Sequence, residues 1–110
     1  MTENLSKIEI CKQLPKLENL KDCRAFYKLF FKHKLYDAKY GEEGHLDYRD
    51  KPIEQLTFDE VLTSFTVIQR EDYWEGGYDY IFEGYLKDKT FERLYNRLQE
   101  LIREAENENK

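Results

Sequence analysis

Proline, glycine, cysteine and histidine are all scarce in this 110-residue chain: it has two, five, two and two of them. Two histidines twelve residues apart, His33 and His45, miss the i, i+4 spacing that sets two imidazoles on one helical face. The carboxylates beside His45, namely Glu42, Glu43 and Asp47, do not follow an EF-hand order of ligands. No metal is therefore expected. The two cysteines, Cys11 and Cys23, form no thiol or zinc signature and are too few for a disulfide framework, which fits a reducing compartment. The five glycines, Gly41, Gly44, Gly76, Gly77 and Gly84, make neither a Walker nor a dinucleotide fingerprint, so no nucleotide cofactor is expected.

Long apolar runs are also missing. The longest strongly apolar stretch is Leu29-Phe30-Phe31, far short of the roughly 20 residues that span a bilayer. The opening residues MTENLSKIEICKQLPK hold no continuous apolar segment of the kind a secretory leader needs. These readings predict a cytoplasmic protein without a membrane partner. A catalytic nucleophile is missing too: Ser64 has no Gly-x-Ser-x-Gly elbow, and both thiols read as core residues.

What the chain does have is aromatic rings and charge. Nine Tyr, seven Phe and one Trp supply large buried areas to a chain in which 37% of residues are charged. The length suits one domain, read as residues 1–106 with a frayed tail at 107–110.

Ser6 with Glu9 has the form of a capping box and predicts a short helix over about 6–13. Leu14, Leu17 and Leu20 then carry the chain across the core after Pro15. Asn19 can cap a second helix over about 20–35, in which Leu20, Cys23, Tyr27, Phe30, Phe31 and Lys34 recur at steps of three and four and Phe26 and Leu29 widen the stripe. A long loop follows, and Thr57-x-x-Glu60 can cap a short helix over Phe58 to Leu62.

The β-branched run from Thr63 to Ile68 predicts a strand. Beyond the Gly76-Gly77 pair, Tyr78, Tyr80 and Phe82 alternate with Asp79, Ile81 and Glu83, which is the period of a second strand. Gly84 stands where a bulge would need it. Thr90 then caps a long amphipathic helix through Phe91, Leu94, Tyr95, Leu98, Leu101, Ile102 and Ala105. The expected fold is α+β: two N-terminal helices, a long loop, an antiparallel β-hairpin with room for a third short strand, and a C-terminal helix.

Charge is unevenly spread. Residues 21–40 hold six Lys plus Arg against two acids, while residues 42–60 and 71–92 each hold two against seven. The leading expectation is a small non-enzymatic protein-binding module, an inhibitor, immunity-type or accessory factor. Tyr73, Trp74 and Tyr78 would anchor it, while Glu71, Asp72, Glu75 and Asp79 complement a basic site on a partner protein. A second reading is nucleic-acid binding through Lys21, Arg24, Lys28 and Lys32 on the basic face of the second helix. A third is an enzyme using His45 and Asp47 in the 41–52 loop. The C-terminal stripe suits a monomer or a homodimer equally.

Overall fold

The computed structural model describes residues 2–36, 51–74, 76 and 80–108, with side chains at 7–36, 51–74, 76 and 81–107. Among the described residues five α-helices follow in order: α1 (Thr2–Cys11), α2 (Leu20–Lys32), α3 (Phe58–Trp74), α4 (Tyr80–Lys87) and α5 (Thr90–Glu108). A 3-10 turn at Ile53–Gln55 leads into α3. Among the described residues there is no strand, so the α+β expectation and its hairpin are overturned.

The first supposed strand is the middle of α3. Period two is a poor guide there because both parities are buried: Phe65 and Val67 on one, Thr66 and Ile68 on the other. A helix apolar all round is the mark of a central helix, and its sequence resembles a buried strand. Its hydroxyls find partners inside the helix. The Thr63 Oγ1, Ser64 Oγ and Thr66 Oγ1 atoms donate to the carbonyls of Asp59, Glu60 and Leu62 at 3.0, 2.9 and 2.9 Å. β-branched residues are thereby housed in a helix without orphaned polar atoms.

The predicted capping box does start this helix. The Thr57 N–H donates to Glu60 Oε1 at 2.8 Å and the Glu60 N–H to Thr57 Oγ1 at 3.3 Å, but the helix runs on to Trp74 rather than stopping at Leu62. Gly76 then ends it instead of turning a hairpin. Its φ of 105° is open to glycine, and its N–H donates to the Tyr73 carbonyl at 3.2 Å.

The second supposed strand contributes to α4, where Gly84 is an exposed helical residue and not a bulge. Lys89, at φ 70°, takes the left-handed position between α4 and α5. The Arg93 N–H donates to its carbonyl, so the cap of α5 falls one residue before the expected Thr90. The Thr90 N–H is taken by Asp88 Oδ1 at 2.9 Å.

The second helix starts where expected but ends at Lys32, about three residues short of the expected 35. Asn19 Oδ1 accepts the Asp22 N–H at 2.9 Å, and α2 closes with a Schellman turn. There the Leu35 N–H reaches the Phe30 carbonyl, the Lys34 N–H reaches that of Phe31, and Lys34 sits at φ 55°.

Aromatic rings tie four helices into one cluster. Phe26 of α2 meets Phe65 of α3 at 4.7 Å between centroids, and Tyr27 stacks on Phe82 of α4 at 5.2 Å. Phe91 of α5 meets Phe65 at 6.3 Å and Phe82 at 5.9 Å. Buried within it, the Tyr27 hydroxyl donates to the Phe65 carbonyl at 2.7 Å. Ile8 and Cys11 of α1 join the same cluster with Leu14 and Leu17 from the following connection.

Candidate interaction surface

Tyr73 and Trp74 end α3 with their side chains 71% and 70% exposed. The same faces are buried one heptad earlier, at Thr66 and Val67, so the two rings are exposed by their place at the end of the helix, while Asp72 continues the stripe of Phe65 and Ile68.

The acids expected beside these rings are divided by the fold. Glu71 is half-buried and accepts the Tyr85 hydroxyl at 3.0 Å. Asp72 is buried, 6% exposed, and cannot face a partner. It lies near Tyr27, whose phenol is pushed far up by burial first, and then by the charges of Cys23, Asp72 and Tyr85. Glu75, Tyr78 and Asp79 lie outside the described residues.

A second surface runs along α2. Lys21, Arg24, Lys28 and Lys32 are all exposed, as the amphipathic pattern predicts, and Phe31 flanks them on the Arg24 side at 38% exposure. The Phe31 ring is backed by Tyr27 at 6.1 Å and Tyr36 at 5.3 Å. The helical spacing predicts a core residue there; the ring lies instead at the margin of the apolar stripe.

The composition gives no hint of the groove of about 440 Å³ between the 3-10 turn, α3 and α5. Ile53, Leu56, Val67, Ile68 and Leu94 make it apolar, and Lys51 and Arg93 stand on its wall. Both cations are engaged by the protein. Lys51 pairs with Glu60 at 2.7 Å, and Arg93 grips Glu54 through two hydrogen bonds at 2.9 and 3.1 Å. Residues from four elements, Tyr85 of α4 among them, build this groove, so no local spacing signals it.

The chemistry of the remaining candidates is quiet. Burial pushes the Cys11 thiol up to about 12, only partly offset by Lys7, which leaves no thiolate at neutral pH. Cys23 is fully buried. Among the described residues no three His, Cys, Asp or Glu side chains gather as a metal site would require. His33 caps the end of α2, while His45 and Asp47 fall outside the described residues. No helix among the described residues is long and apolar enough to cross a membrane. No protein-family model, curated protein or solved structure matches this chain.

Proposed function

We propose that the protein is a small non-enzymatic binding module, an inhibitor, immunity-type or accessory factor, that sets its Tyr73–Trp74 corner into a basic site of a partner protein. The observation that supports this reading is the exposure of the two adjacent rings, 71% and 70%. Trp and Tyr are the residues most often found as interface anchors, because they bury much area at small entropic cost. The surroundings favour a cationic partner: the C-terminal end of α3 carries the negative end of its macrodipole, and Glu71 precedes the pair. Glu75 and Asp79 follow in sequence and add to the negative balance of this stretch. The buried Asp72 drops out of the docking set, and its role is internal.

The test is affinity capture of the tagged protein with salt-stepped elution and nuclease treatment, run in parallel with Trp74→Ala. A stoichiometric partner that survives nuclease and binds the variant at least about fivefold more weakly, or roughly 1 kcal/mol, is the expected result. Equal affinity of a folded Trp74→Ala variant for that partner overturns the reading.

A further inference from the structure

We infer that the exposed ridge of α2 is a contact surface for single-stranded nucleic acid, separate from the Tyr73–Trp74 corner. Lys21, Arg24, Lys28 and Lys32 recur at steps of three and four, so they form one row along the helix. The eleven steps from Lys21 to Lys32, at about 1.5 Å each, make this row about 16 Å long. Neighbouring cations are roughly 5–6 Å apart at Cβ, a repeat suited to tracking successive phosphates along an extended backbone.

Three of these cations are also uncommitted. Lys21, Lys28 and Lys32 take part in no ion pair among the described residues, whereas Lys12, Lys51, Arg93 and Arg97 are each held by a carboxylate. Lys7, Lys16, Lys34, Lys87, Lys89 and Arg103 are likewise without one there, so it is the row that sets the α2 lysines apart. The nearest acid on the helix, Asp22, is turned to the backbone, where its Oδ2 accepts the Glu18 N–H at 3.1 Å. Three lysines in one row without an ion pair among the described residues, in a chain of net charge −5, are where a polyanion would gain most.

Phe31 selects the kind of polyanion. It flanks the row on the side of Arg24, seven residues before it, and of Lys28, three before it, and Tyr27 and Tyr36 hold it from behind. A fixed, partly exposed ring beside a cationic track is the combination that binds unpaired bases, since stacking is open to every base and only single strands offer it. A duplex hides those faces, and an acidic peptide has no bases.

The experiment is fluorescence anisotropy of a labelled 20-nucleotide oligothymidylate titrated with the full chain over a range of salt. Three or four neutralised phosphates give a slope of log affinity against log salt of about −2 to −3. Lys28→Glu with Lys32→Glu is expected to weaken binding at least about tenfold. Lys87→Glu with Arg103→Glu makes the same charge change on α4 and α5, and should cost about twofold or less. Phe31→Ala should weaken binding without altering the salt slope. All these positions are exposed or nearly so, and an unchanged circular dichroism spectrum verifies the fold. Lack of binding at low salt, equal losses from the two charge pairs, equal affinity for duplex, or equal displacement by polyglutamate overturns the inference. Trp74→Ala leaves this binding unchanged if the two surfaces are separate, so failure here is distinguishable from failure of the protein-binding reading.

Discussion

Single residues in this protein show how often a side chain's role depends on its neighbours. Asp72 and Trp74 stand two apart in sequence, yet one is buried against the aromatic cluster and the other stands in solvent. The sequence marks Tyr73 and Trp74 as candidate anchors but sets them beside a hairpin turn; their exposure becomes visible only once α3 is seen to end at Trp74. The burial of Asp72 was not legible, because a carboxylate is assigned to the surface by default and only the packing of α3 reverses that. Gly84 gives the sharpest test at this scale. It sits in α4, and a Cβ placed on it meets nothing within 4 Å. Gly84→Ala should therefore stabilise the protein by about 0.5–1 kcal/mol, the usual cost of glycine in a helix interior. Denaturant unfolding checks it, and a loss of stability would show that α4 needs the freedom of glycine there.

At the scale of elements, the sequence reveals helices with one wet face and conceals those without. Both α2 and α5 alternate apolar and charged residues at helical spacing, and both were legible. α3 is buried almost all round, so its period was invisible and its β-branched content suggested a strand. α4 was hidden for a different reason: it is eight residues long, and rings at Tyr78, Tyr80 and Phe82 happen to fall at alternate positions. The start of α3 also carries a pH dependence. Glu60 is held below the usual carboxylate value of 4.5, first by Lys51 and then by the Thr57 N–H. A carboxyl lowered on folding contributes stability that is present above 4.5 and is lost as pH falls through its folded value. Glu60→Gln keeps an acceptor for the cap but discards the ion pair with Lys51. The melting temperature of this variant should thus lie below that of the parent at neutral pH and converge with it in acid. A gap that stays constant from about pH 7 to pH 3 would assign the loss to geometry instead of charge.

The whole molecule depends on a few rings shared by four helices. Phe65 touches Phe26, Phe30 and Phe91 from the middle of α3, so its removal loosens α2 and α5 together. Phe65→Ala should cost about 3–5 kcal/mol, a large share of the roughly 5–15 kcal/mol that holds a domain together. Equilibrium denaturation measures the loss, and a cost under about 1 kcal/mol would mean that the cluster closes over the gap. What such a loosened chain exposes is set by the composition of α3. Thr63 to Ile68 is six uncharged residues, five of them β-branched or aromatic, with no proline or glycine among them. Burial alone keeps this segment helical; once freed, it has the makings of a steric zipper. The native fold is then also a restraint against amyloid, and thioflavin-positive fibrils should grow from Phe65→Ala under conditions in which the parent chain stays clear.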